Sequence, residues 1–221
     1  MLRKRFKWFA VVGLAVLVYA APAAYAVPLT TLTSGGTITC GDKFFNNFTY
    51  DATGNMPSAY GVNVGCITDL NGNHGIRIQG GFVDLPGGDE PSDALLTYTV
   101  SVVGSPNLIS DAHITGNPAV LGGAGAIAAV DTWSEFPNSY ISIYDIKPYG
   151  SPQSSDFIIF PYPVPVLHAQ KDISALALTG YATLSFIDQT YSQTSVPEPG
   201  TLGLLGIGLL GFVGYGWWRR R

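Results

Sequence analysis

A chain of 221 residues has room for one ordinary domain with signals at its ends. Its formal charge of −4 hides a segregation of the basic residues: Arg3, Lys4, Arg5 and Lys7 open the chain, and Arg219, Arg220 and Arg221 close it. Between residues 27 and 195 only Lys43, Arg77, Lys147 and Lys171 stand against fourteen acidic residues, a net of −10 that argues against nucleic acid as a partner.

The first 26 residues have the layout of an export signal. A basic start precedes the apolar stretch WFAVVGLAVLVYA, and Ala24-Tyr25-Ala26 follows as a small-residue cleavage site. An uncleaved anchor is the alternative, but the apolar run is shorter than the ~20 residues a helical span needs. Cleavage after Ala26 would start the mature chain at Val27. Two cysteines follow, Cys40 and Cys66. In an oxidising compartment such a pair is expected to form a disulfide, worth about 3–4 kcal/mol on the chain-entropy model; two buried thiols are the alternative.

From Val27 to about residue 193, short runs of Val, Ile, Thr, Phe and Tyr alternate with Gly, Pro, Asn and Asp, the pattern of strands and turns. Predicted strands, in chain order, are FFNNFTY (44–50), GIRIQGGFVDL (75–85), ALLTYTVSVV (94–103), YISIYDI (140–146), DFIIF (156–160) and YATLSFIDQTY (181–191). In the third, Leu96, Tyr98, Val100 and Val102 share one face, and Thr97, Thr99 and Ser101 the other. Residues 118–133 read as a glycine-rich turn leading into a strand that ends near Trp133, since Gly122, Gly123 and Gly125 oppose a helix. The alternating prolines of FPYPVPV (160–166) belong on a sheet edge or in an extended connection. About ten strands with frequent turns predict an all-β ectodomain over 27–193, a single β-sandwich of jelly-roll type.

Candidate chemistry is sparse. His74, His113 and His168 are far apart and share no catalytic motif, which favours separate surface histidines over a cluster. In DLNGNHG (69–75), Asp69, Asn71 and Asn73 alternate as in the start of a calcium loop. His74 then stands where that loop needs glycine, and Gly80 where it needs glutamate, so an Asn-Gly hairpin turn accounts for the segment better. DLPGGDEPSD (84–93) gathers Asp84, Asp89, Glu90 and Asp93; four carboxylates can hold a hard cation or act as an acid–base pair, but a solvated loop is the simpler expectation. Asp69, Asn71, Asn73, Asp89, Glu90 and Asp93 thus remain weak metal candidates, and no cofactor is expected. Tyr60, Trp133, Tyr149 and Tyr162 are candidates either for stacking on sugar rings or for core packing.

The chain ends in VPEPGTLGLLGIGLLGFVGYGWWRRR (196–221). Positions 201–218 are uncharged, close to the minimum for a membrane-spanning helix, and Trp217, Trp218 and Arg219 to Arg221 supply an aromatic belt and a cytoplasmic basic flank. Val196-Pro197-Glu198-Pro199, a Gly/Leu-rich span and the terminal arginines together resemble the PEP-CTERM sorting signal. The resemblance implies an exported protein of an exopolysaccharide-forming Gram-negative bacterium, anchored first in the inner membrane. It also implies an exosortase as partner, a membrane-embedded cysteine enzyme that cuts near Pro-Glu-Pro and sends the protein to the cell surface or extracellular matrix. An ordinary single-span anchor on a proline-stiffened linker is the alternative. CGDKFFNNFTY (40–50), SDALLTYTVSV (92–102) and KDISALALTGYATLSFIDQTY (171–191) also resemble ectodomains that carry this tail, most of which have no assigned activity.

The expectation is therefore a signal peptide (1–26), a β-sandwich (27–193) and a sorting segment (194–221). The leading function is a non-enzymatic surface or matrix protein. A secreted carbohydrate-binding module or carbohydrate-active enzyme is the alternative, and a calcium-stabilised adhesin a third reading.

Overall fold

The computed structural model describes residues 26–88, 90–104 and 107–195. The expected signal helix and membrane-spanning helix lie outside these residues. Among the described residues no helix is long and apolar enough to cross a membrane.

The described residues start with a short strand β1 (Ala26–Pro28), a one-turn helix α1 (Leu29–Thr33) that buries Leu29 and Leu32, and β2 (Ile38–Cys40). Strands β3 (Lys43–Ala52), β4 (Val62–Thr68), β5 (His74–Asp84), β6 (Ser92–Val102) and β7 (Asn107–Gly116) follow. Then come β8 (Ala119–Leu121), β9 (Gly125–Trp133), β10 (Phe136–Lys147), β11 (Ser155–Val164), β12 (Val166–Ala177), β13 (Tyr181–Tyr191) and β14 (Gln193–Ser195).

Two antiparallel sheets result. The first runs β1-β4-β5-β13-β7-β11, with β8 added to β13 and β14 to β7; the second runs β10-β9-β12-β6-β3-β2. Within them, β5-β13-β7-β11 faces β6-β12-β9-β10, the chain crossing between sheets at β5–β6–β7, from β8 to β9, and at β10–β11–β12–β13. That is the two-sheet, eight-strand arrangement of a jelly roll.

Side-chain alternation fills the space between the sheets. In β6 the inward set is Ala94, Leu96, Tyr98 and Val100, all buried, while Thr97, Thr99 and Ser101 face out. Val102, expected on the core face, is only half-buried at the strand end. In β12 Leu167, Ala169, Ile173 and Ala175 point inward, as do Ile76, Ile78 and Phe82 of β5. Tyr98 and Tyr191 join the sheets through their hydroxyls, 2.8 Å apart and buried. Cys40 and Cys66 form a disulfide that ties β2 of the second sheet to β4 of the first.

Most predicted strands are found with ends shifted by a few residues, and the glycine-rich turn before β9 is present, with Gly122 at φ +74. Pro161 and Pro163 lie on β11, the edge of the first sheet, where the ladder to β7 skips from Ile159 to Val164. β4, β7 and β12 are additional to the predicted strands, and β12 is central in its sheet. Asp84, expected in a solvated loop, is instead buried at the end of β5: Ser92 Oγ donates to one carboxylate oxygen at 2.5 Å and the Ala177 N–H to the other at 2.7 Å. It joins the ends of three strands and is structural.

Candidate functional site

The outer face of the first sheet carries a cluster of hydrogen-bonded polar side chains. Because side chains alternate, the outward positions of β5, β13 and β7 bring together residues that are remote in sequence. Arg77 lies opposite Asp188 and is bonded to it through Nε at 2.6 Å and Nη2 at 2.7 Å. The guanidinium also covers the Phe186 ring at 4.5 Å from its centroid, so both its edge and its face are fixed.

Beside this pair, on β7, His113 Nε2 is 3.1 Å from Asp111 Oδ1, and the imidazole stacks on Phe157 of β11 with centroids 5.8 Å apart. The hydrogen bond to Asp111 raises the His113 pKa, burial opposes it, and the charges of Asp111 and Asp69 add to the rise. Burial pushes the Asp111 carboxyl up, but hydrogen bonds from His113 and Ser192 outweigh it and hold the group below its ordinary value.

The β4–β5 turn closes one side. Asp69 Oδ1 accepts the backbone N–H groups of Asn71 and Asn73 at 2.8 and 2.9 Å, and Oδ2 accepts Asn73 Nδ2 at 2.9 Å and Thr190 Oγ1 at 3.0 Å. Burial raises the Asp69 pKa, and these bonds outweigh it to leave the carboxyl below its usual value. The segment read as a possible calcium loop is therefore a hairpin turn pinned to β13, with both carboxylate oxygens already occupied. Together the turn and the three strands line a groove of about 520 Å³. A second depression of about 420 Å³ shares His113 and Thr115 with it and continues to Phe157 on the sheet edge.

The remaining candidates are dispersed. His74 Nδ1 is 3.0 Å from Thr68 Oγ1, and His168, on the other sheet, pairs with Glu135 at 2.5 Å, so each histidine has its own partner. Glu90 is exposed, Asp93 lies on β6, and Asp89 falls outside the described residues. Among the described residues no group of three or more His, Cys, Asp or Glu side chains is arranged to hold a metal ion. Trp133 is core, 2% exposed, with its ring edge-on to Phe160; Tyr60, Tyr149 and Tyr162 are exposed but stand apart from the groove. Sequence reasoning missed Arg77, Asp111, Asp188 and Phe157 as a set. Their only common signal is an outward position on strands whose adjacency the sequence does not reveal.

Ala24, Val196, Pro197, Glu198, Pro199 and Arg219 to Arg221 lie outside the described residues, whereas Ala26 opens β1. At the other end β14 pairs with β7 up to Ser195, so the sheet reaches the first residue of the tail. The described residues thus form a nearly all-β, two-sheet domain joined by a disulfide, and the C-terminal segment follows directly in sequence. Residues 195–221 match the PEP-CTERM protein-sorting motif, which indicates an exported surface or extracellular protein sorted by an exosortase. No curated protein matches the chain.

Proposed function

We propose that the chain is a non-enzymatic structural or adhesive component of an exopolysaccharide matrix, delivered as an inner-membrane-anchored precursor and released or re-attached by exosortase cleavage near Glu198. The observation that carries this reading is the direct junction of a disulfide-stapled β-sandwich to the sorting motif: β14 ends at Ser195, and the motif begins there. A rigid ectodomain placed that close to the membrane must be freed from the tail to reach the matrix. Deletion of 196–221, followed by fractionation of the expressing cells, tests it. The truncated protein should leave the surface and matrix fractions; unchanged fractionation would sink the reading.

A second reading is favoured by the groove. A carboxylate–guanidinium pair, a histidine–carboxylate pair and the exposed Phe157 ring, 62% accessible, are the donor, acceptor and apolar surfaces that a sugar ring uses. On that basis the ectodomain is a carbohydrate-binding module that holds polysaccharide along the first sheet. Co-sedimentation with the host's exopolysaccharide should show retention without release of reducing ends. Release of reducing ends would replace the binding module with a carbohydrate-active enzyme.

A further inference from the structure

Between the sheets lies a group of polar side chains for which neither the sorting signal nor the groove accounts. Lys171 of β12 is 0% exposed and Asp131 of β9 is 1% exposed, and the two are direct partners in the β9–β12 ladder, with Lys171 Nζ bonded to Asp131 Oδ1. From the opposite sheet Gln189 of β13 points into the same space, and its Oε1 accepts a hydrogen bond from Lys171 Nζ at 3.0 Å. Asp131 Oδ2 and Gln189 Nε2 have no hydrogen-bond partner although both are buried. Tyr98, Tyr191 and Trp133 are buried in the same interior.

A buried lysine facing a buried carboxylate is costly as an ion pair, because both charges lose their hydration. Burial lowers the Lys171 pKa and raises that of Asp131, in each case against the attraction of the partner. Both shifts favour the neutral pair, an amine with a free lone pair beside a protonated carboxyl. The third group, Gln189, offers that amine a carboxamide carbon. Lys171 Nζ is then hydrogen-bonded to both the proton carrier and the carboxamide, in a space sealed from water where hydrolysis cannot compete.

We propose that Lys171 and Gln189 form an intramolecular amide cross-link between the two sheets, with Asp131 as the acid–base group. Lys171 Nζ attacks Gln189 Cδ, and the protonated carboxyl of Asp131 delivers its proton to Nε2 and takes in its place the proton lost by the amine. The Cδ–Nε2 bond breaks and ammonia leaves. A secondary amide remains, and Asp131 ends in the protonation state in which it began. No oxidant, metal or second enzyme is required. The bond would replace the buried amine and the unpaired Nε2 by one secondary amide, and would lock β12 to β13 against forced separation.

The test is peptide mapping of the full chain, exported, purified, denatured, reduced and digested with chymotrypsin. Leu176, Leu178, Tyr181, Leu184 and Phe186 separate Lys171 from Gln189 in sequence, so cleavage there releases two peptides unless a bond joins them. The expected product is one joined species, lighter than the two peptides together by one ammonia, with fragmentation placing the link at Lys171 and Gln189. Asp131→Asn should abolish the joined species, as should Lys171→Met. Recovery of the two peptides unjoined from the wild-type protein overturns the proposal. So does a species joining Lys171 to Asp131 with loss of water. The wild-type map decides the matter even where a variant fails to fold.

Discussion

Arg77 and Asp188 are directly opposed on β5 and β13, and the guanidinium meets the carboxylate through two parallel hydrogen bonds of 2.6 and 2.7 Å. The pair is at the surface, with Arg77 half-exposed, so its contribution to stability is small, about 1 kcal/mol or less. Its fixed geometry matters more for recognition, since a planar bidentate pair presents oriented donors and acceptors to a hydroxyl-rich ligand. Arg77→Lys keeps the charge but loses the fork and much of the contact with Phe186. Affinity electrophoresis through gels containing the exopolysaccharide should show at least a roughly tenfold loss of retardation for this variant, the scale of one charged hydrogen bond. Thermal unfolding should change little. Equal retardation of the two proteins would remove the pair from any binding role.

His113 and Asp111 set the pH response of the same face. The His113 pKa is raised in the folded state, so its stabilising contribution is full below its ordinary value of about 6.5 and is lost as pH rises through the folded value. Asp111 is held down, so its contribution is present above about 3.9 and is lost as pH falls through its depressed folded value. Stability from this pair is therefore greatest between those limits and declines from near pH 6.5 upward. His113→Gln should flatten the alkaline decline in urea-unfolding free energies measured from pH 6 to 9. A wild-type profile without that decline would show that the pair contributes nothing.

The Cys40–Cys66 disulfide closes a separation of 26 residues and joins a strand of each sheet. Cys40 is buried and Cys66 is exposed, so a reductant can reach the bond from one side. Reduction, or Cys40→Ser with Cys66→Ser, should lower the unfolding free energy by about 3–4 kcal/mol. Denaturant titrations with and without reductant measure this directly. Coincident curves would mean that the loop closed by the bond is already ordered in the unfolded chain.

How far the fold could be read depended on whether each strand announces its own alternation. β6 does, because Leu96, Tyr98 and Val100 alternate with threonine and serine, and so does β13, whose Tyr181–Tyr191 run is rich in strand-forming residues. β12 does not: its inward positions include Lys171 and the small Ala169, Ala175 and Ala177, so the apolar signal of a central strand is weak. β7 was hidden for the opposite reason, with Asp111 and His113 interrupting a short apolar run. The disulfide was legible because export and a lone cysteine pair suffice to expect it. The groove was not, because Arg77, His113 and Asp188 are brought together by long-range crossovers that no local pattern encodes.

The approach of β5 to β13 beneath the groove rests on one missing side chain. Gly75 pairs with Thr190, and a Cβ added at Gly75 would stand 1.8 Å from the backbone oxygen of Gln189, a distance no side-chain rotation can relieve. Gly75→Ala must therefore push the strands apart, and with them the Thr190 hydroxyl that holds the Asp69 turn. Forced overpacking of this kind costs about 1–3 kcal/mol or more. Gly81, on the same strand, has nothing within 4 Å of its added Cβ, so Gly81→Ala should fall within about 0.5 kcal/mol of the wild type. Chemical denaturation of the two variants side by side measures the contrast. If Gly75→Ala proved as stable as Gly81→Ala, β5 and β13 would not pack as closely as described, and the floor of the groove would have to be redrawn.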